Sequence, residues 1–158
     1  QQSQQNPKTG IIGVEPFKDG VAKALSYIDQ MALQNVRLHH GDARDIVQRL
    51  QNNSLDRVFI LFPDPWPKKR HWKRRIIQSA FIDELVRVIK PGGTLRFATD
   101  VASYADWALE LFLKNTKLRW LAQAADDWRR PPDDHITTRY QEKKLGDCEP
   151  VWLDFERR

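Results

Sequence analysis

Apolar residues run along this chain in two alternating rhythms. Short apolar blocks bounded by glycine, proline or asparagine alternate with longer stretches in which apolar side chains recur every three to four residues. Gly10 to Glu15 (GIIGVE) is a block closed by Pro16 and predicts a buried strand. From Asp19 to Gln34 the spacing is helical, with Val21, Ala22, Leu25, Ile28 and Ala32 on one face. Val36 to His39 predicts a second strand, broken by Gly41-Asp42. Ala43 to Leu50 reads as a short helix, Asn52-Asn53-Ser54 as a turn, and Leu55 to Phe62 as a third strand. Ile76 to Ile89 is an amphipathic helix with Phe81, Leu85, Val88 and Ile89 inward, ended by Pro91-Gly92-Gly93. A fourth strand, Thr94 to Thr99, and a helix from Ala102 to Asn115 follow. A polar loop then spans Asp126 to Asp134, and Val151 to Phe155 is a closing strand.

Strands alternating with helices predict an α/β fold, with a mostly parallel sheet covered by helices on both faces. In such sheets ligands bind at the carboxyl ends of the strands. Glu15, Asp42, Asp64 and Asp100 each stand at or just beyond such an end. Four acids on one rim repel one another unless a ligand or cations lie between them. A nucleotide site on this architecture also needs a glycine-rich turn after its first strand. The chain has 7 glycines, and none forms a GxG loop. The opening QQSQQN reads as the tail of a helix. The expectation is therefore a single domain over residues 1–158 that lacks its first βα unit.

Composition narrows the partners. Of 158 residues, 41% are hydrophobic and 30% charged, enough for a folded core. The net charge of +5 and a pI near 9.5 favour anionic partners. Cys148 is the only cysteine, so neither a disulfide framework nor a CxxC metal site can form, and a reducing, cytoplasmic setting is expected. His39, His40 and His135 lack metal-ligand spacing. No apolar run is long enough to cross a membrane, and the first residues lack the pattern of a signal peptide.

The placement of charge is more informative than its sum. Arg57 to Arg75 reads RVFILFPDPWPKKRHWKRR: an apolar strand, an acid held between Pro63 and Pro65, and a block in which six of the eight residues from Lys68 to Arg75 are Lys or Arg. Proline fixes its own φ and restricts the residue before it, so Asp64 is set at a defined angle on a strand tip. Cations directly beyond suit a phosphate backbone. Trp66 and Trp72 are candidates for stacking on an exposed base.

The segment FPDPWPKKRHWKRRI resembles the signature of the tRNA (guanine-N7-)-methyltransferases. The likeness continues through IKPGGTLRFATD, TRYQEK and VWLDFER, and includes IIGVEPFKDGVAKAL and VRLHHGDARDI. The resemblance implies a Rossmann-like class I methyltransferase fold. It also implies transfer of a methyl group from S-adenosylmethionine to N7 of a guanine in the variable loop of tRNA. On that likeness Glu15 and Pro16 lie at the cofactor ribose, Asp42 and Ala43 at its adenine, and Asp64 between cofactor and guanine. Lys68, Asp100, Thr138, Arg139, Tyr140 and Gln141 contact substrate. Lys69, Arg70, His71, Lys73 and Arg74 face the RNA backbone. Neither metal nor membrane is implied, and the chain acts as a monomer or homodimer. Two departures stand out. The glycine-rich first motif is absent, and Gln141 stands where the family usually has glutamate; either Gln141 or Glu142 fills that role.

Each residue also has a plainer reading. Asp42 and Asp100 are placed to cap the helices that follow them. Glu15 can be a solvated strand-end acid, and Arg75 can pair with an acid on the next helix. Trp107, Trp120 and Trp152 are read as core. The rival function is a non-catalytic RNA-binding module on a methyltransferase-like fold, which does not need Glu15, Asp42 and Asp64 together. A small-molecule methyltransferase is a weaker rival, because it has no use for PKKRHWKRR.

Overall fold

Two units divide the chain, Gln1–Leu50 and Gln51–Arg158. The computed structural model describes residues 2–158, apart from the Arg139 side chain. In the first unit a short helix α1 (Gln2–Gln5) leads into β1 (Ile11–Glu15), α2 (Lys18–Gln30), β2 (Val36–His40) and α3 (Ala43–Val47). β1 and β2 pair in parallel, from Ile11↔Val36 to Glu15↔His40. Asn35 ties the entry together: its Nδ2 donates to the carbonyls of Asn6 at 3.0 Å and Thr9 at 2.8 Å, while its own carbonyl accepts from the Ile11 amide. Helix α2 stops four residues before the apolar period does. Ala32 takes φ 49°, the Leu33 amide donates to Ile28 and the Ala32 amide to Asp29. That is a Schellman stop, usually made with glycine.

The second unit holds the core. Its elements are β3 (Leu55–Leu61), a 3₁₀ helix (Lys69–Arg74), α4 (Ser79–Val88), β4 (Ile89–Thr99), α5 (Ala102–Lys114), β5 (Leu118–Trp120), α6 (Asp126–Arg129), α7 (Arg139–Glu142) and β6 (Val151–Arg157). The strand order is β3-β4-β6-β5. β3 and β4 are parallel, and β6 runs antiparallel between β4 and β5. Alternation along β4 sends Leu95 and Phe97 to one face, where Leu153 and Phe155 of β6 lie opposite them. On that face Phe97 meets Tyr104 at 5.2 Å and Phe112 at 6.1 Å, and Phe112 meets Phe155 at 4.9 Å. These four rings are fully buried and anchor α5 to the sheet.

Pro91-Gly92-Gly93 does not separate helix from strand as the sequence suggests. β4 begins at Ile89, and these residues form an irregularity inside it: Leu55 pairs with Ile89, but Arg57 pairs with Thr94. Gly92 has φ +77°, and a Cβ on Gly93 would lie 2.9 Å from the Asp56 carbonyl, so both positions need glycine. β5, α6, α7 and the 3₁₀ helix are short elements that periodicity alone does not reveal.

Replacing Phe112 by Ala removes the ring at the centre of the α5–sheet contact. The expected loss is about 3–5 kcal/mol, read as a lower urea midpoint with an unchanged m-value. A loss under about 1 kcal/mol would show that the aromatic cluster does not hold α5.

Candidate active site

Each unit places two acids at the carboxyl ends of its parallel strand pair. In the first, Glu15 ends β1, and its carbonyl accepts from the Gly41 amide at 3.2 Å, so Asp42 follows on the neighbouring strand end. The Glu15 carboxylate accepts from the Phe17 amide at 2.9 Å. It also crowds Gly20, where a Cβ would lie 2.5 Å from Glu15 Cδ. Only glycine leaves this acid its place. Pro16 is exposed, and its carbonyl accepts from His40 Nε2 at 3.2 Å. Asp42 caps α3 by accepting from the Arg44 amide at 2.9 Å, and pairs with the Arg44 guanidinium at 2.8 Å. The capping role of Asp42 is therefore real. Ala43 opens α3 behind it. Both carboxylates keep lone pairs for further donors, so the pair can accept from a ribose diol and an exocyclic amine.

In the second unit the chain leaves β3 through a strained loop. Phe62 has φ 51° and Trp66 φ 44°, bracketing Pro63-Asp64-Pro65. A left-handed conformation in a bulky residue costs roughly 1–3 kcal/mol. Burial of Phe62 and its amide bond to Ala98 at 2.8 Å hold that conformation. Asp64 is exposed at the tip. Asp100 directly follows the adjacent strand β4 and is 4% exposed. Its carbonyl accepts from the Asp147 and Cys148 amides. A Cβ on Gly146 would lie 2.0 Å from that carbonyl, so this turn requires glycine. The cap of α5 is Asp147, which accepts from the Ala102 amide at 2.8 Å; Asp100 does not fill the capping role the sequence allows it.

Tyr140 feels the charge of both acids. Its ring packs on Phe62 at 5.8 Å and against the Phe62–Ala98–Trp152 cluster. Burial, then Asp100, then Asp64 push its hydroxyl above the ordinary phenol range, so it stays protonated at neutral pH. Thr138 caps α7 by accepting from the Gln141 amide at 3.1 Å. His135 Nε2 donates to Gln141 Oε1 at 2.8 Å. The Arg139 side chain lies outside the described residues. The segment is tethered upstream, where Asp134 accepts from Arg96 at 2.5 Å and Arg57 at 3.0 Å. Arg96 in turn grips Asp154, its cross-strand neighbour, with two bonds at 2.8 and 2.9 Å.

Beyond Asp64, Lys68 precedes the 3₁₀ helix, and Lys68, Lys69, Arg70, Lys73 and Arg74 are exposed along it. His71 is half-buried; it accepts from Arg70 Nε at 3.3 Å and stands edge-on to Trp66 at 6.0 Å. Arg74 stacks over Trp66 at 4.8 Å. Trp72 is not a platform for a base: it packs on Trp107 at 5.4 Å and on the Arg75 guanidinium at 4.3 Å. Arg75 is fully buried, and its described partners include backbone carbonyls, one hydroxyl and aromatic rings. Sequence reasoning missed Asp134 and Asp147, which act through contacts distant in sequence, and the bond of His135 to Gln141. For Asp134, two adjacent acids before a histidine gave no signal of their own.

This architecture is that of the class I, S-adenosylmethionine-dependent methyltransferases. The chain superimposes on an rRNA methylase from Streptococcus thermophilus with a TM-score of 0.61 at 11% identity, covering 94% of this chain and 73% of that one. It superimposes on a precorrin-6y C5,15-methyltransferase from Geobacter metallireducens with a TM-score of 0.59 at 16% identity, covering 96% and 70%. Such low identities speak for the fold alone. The profile of a family described as "Putative methyltransferase" matches residues 1–152. A tRNA (guanine-N(7)-)-methyltransferase from Hyphomonas neptunium is 55% identical over 157 residues, covering 99% of this chain and 72% of the relative. One from Caulobacter vibrioides is 56% identical over 156 residues, covering 99% and 69%. The chain belongs to the tRNA (guanine-N7-)-methyltransferase family.

The Asp134 tether has a pH signature. Its hydrogen bond from Arg96, opposed by burial and reinforced by the charges of Arg96 and Arg57, holds its carboxyl below the ordinary value of 3.8. A depressed folded-state pKa adds stability that is complete above the unfolded value and lost as pH falls through the folded one. Asp134→Asn is therefore expected to flatten the fall in stability below about pH 4. Urea unfolding across pH 2–7 (a range set by ordinary carboxylate pKa values) checks this. Parallel curves for variant and parent would refute it.

Proposed function

We propose that this chain transfers a methyl group from S-adenosylmethionine to N7 of a guanine in the variable loop of tRNA. The observation that carries the reading lies in the second unit. There Asp64, in a loop strained at Phe62 and Trp66, and Asp100 leave the same end of a parallel strand pair, Tyr140 packs on Phe62 beside them, and the chain runs on into an exposed basic helix. A module that only binds RNA has no use for an acid presented on a strained loop. The 55% identity to a tRNA (guanine-N(7)-)-methyltransferase points to the same reaction.

The residues fit the cofactor's chemistry. Glu15, beside Pro16, accepts from the ribose hydroxyls. Asp42 and Ala43 receive the adenine edge. S-Adenosylmethionine supplies a methyl group already activated on a sulfonium, so no metal is needed. Guanine N7 carries an in-plane lone pair and no proton, so no general base is required. The protein's task is alignment, together with a fixed negative charge where positive charge builds on the purine. Asp64 supplies that charge. Buried Asp100 accepts from the guanine N–H edge, and protonated Tyr140 donates beside it. Thr138, Arg139 and Gln141 complete the substrate wall, and Lys68 holds the adjoining phosphate. Lys69, Arg70, His71, Lys73 and Arg74 follow the RNA backbone. The enzyme works in the cytoplasm as a monomer or homodimer.

Two measurements test this. Asp64→Ala is expected to lower kcat by about 10²–10³-fold while tRNA affinity stays near that of the parent. Undiminished turnover would remove Asp64 from the reaction. Replacing Lys68, Lys69 and Arg70 together by Ala should weaken tRNA binding and reduce the slope of log K against log salt by about 2. An unchanged slope would mean that the basic segment does not touch RNA.

A further inference from the structure

We propose that Arg75 is a positioning residue for methyl transfer, holding the Asp64 loop and the segment after Asp100 in fixed register from inside the core. The inference rests on the function proposed above. Its basis is one buried guanidinium with two sets of partners. Arg75 Nε donates to the Pro65 carbonyl at 2.9 Å, one residue beyond Asp64. Its Nη1 donates to the Ser103 carbonyl at 2.9 Å and its Nη2 to the Ser103 hydroxyl at 3.1 Å, three residues beyond Asp100. A single rigid, planar group thus joins the loop that carries Asp64 to the first turn of α5, just after Asp100.

The surroundings lock that plane. The guanidinium lies 4.3 Å from the Trp72 ring centre, 4.6 Å from Tyr104 and 5.7 Å from Trp107. Trp107 Nε1 donates to the Ile77 carbonyl, and Gln78 Nε2 donates to the Arg75 carbonyl, so cage and backbone are fixed together. Burial pushes the guanidinium below its ordinary pKa, which still leaves it charged near neutrality. Stability alone does not call for this arrangement. An apolar side chain of similar volume commonly replaces a buried ionic group at little cost. What it cannot replace is the fork geometry, with donors aimed at both the Asp64 loop and α5. The loop it grips is strained at Phe62 and Trp66, and such a loop relaxes unless something holds it.

The test compares Arg75→Met, Arg75→Lys and Ser103→Ala in the full chain, with tRNA and S-adenosylmethionine as substrates. Arg75→Met should melt near the parent temperature yet lose about 10–100-fold in kcat, with KM for tRNA little changed. Lys keeps the charge but lacks the fork, so Arg75→Lys should recover only part of the loss. Ser103→Ala should show a smaller loss of the same kind, and reads out the strut if the Arg75 variants fold poorly. Hydrogen exchange of residues 62–68 should rise in all three variants while β4 stays protected. That readout does not depend on turnover, so failure of the strut and failure of the proposed function are distinguishable. Unchanged exchange, a kcat loss that merely follows the folded fraction, or a lower salt slope for tRNA binding would each overturn the proposal. The last would make Arg75 an RNA contact.

Discussion

The hydrogen bond from the Phe62 amide to the Ala98 carbonyl extends the parallel ladder of β3 and β4 one residue past β3, and the second unit's site hangs from it. Because the strands are parallel, both deliver their following residues to the same end. Phe62 is buried, and Ala98 sits against it with Trp152 and Tyr140. That cluster fixes where the chain turns out of the sheet, so that two residues later Asp64 is exposed while Asp100 stays buried next door. The strain at Phe62 is tolerable only because its ring fills the cluster. Packing energy is thereby converted into the placement of a carboxylate.

What the sequence made legible, and what it did not, divides along the reach of the interactions. β1, β2, β3, α4 and α5 announce themselves because each carries its own apolar period, and the acids at the strand ends follow from that. The end of α2 is misread because Ala32 takes a conformation that glycine usually supplies. Pro91-Gly92-Gly93 looks like a turn because proline and glycines usually make one; here the pairing of Leu55 with Ile89 draws them into a strand. Arg75 looks like one more cation in a basic run. Nothing in its neighbours in sequence tells that Tyr104 and Ser103, almost thirty residues on, close around it. Trp72 is misjudged for the same reason, since its partner Trp107 is supplied by another helix.

Charge in the second unit is sorted by depth. The cations of the 3₁₀ helix are exposed, as suits contacts made and broken with a polyanion. Arg96 is held among Asp134, Asp154 and the Phe59 ring, and its work is internal. By holding Asp134 it fixes the stretch that runs on through His135 to Thr138 and Tyr140. The net charge of +5 therefore understates how one-sided the accessible charge is around Asp64.

Gln141 shows how the proposed reaction constrains the remaining wall of the site. Methylation at N7 moves one positive charge from sulfonium to purine, so the site's total charge does not change. What must change is where the negative field is strongest. Asp64 and Asp100 already provide two carboxylates at that strand end. A neutral amide at position 141 adds no further negative charge, and with its Oε1 accepting from His135 its NH₂ is the group left as a donor. If Gln141 rather than Glu142 takes the place of the family's glutamate, a donor there suits the guanine carbonyl beside N7, leaving recognition to Gln141 and field strength to Asp64. On that division of labour, the family's usual glutamate and this chain's glutamine are two ways of distributing one charge requirement.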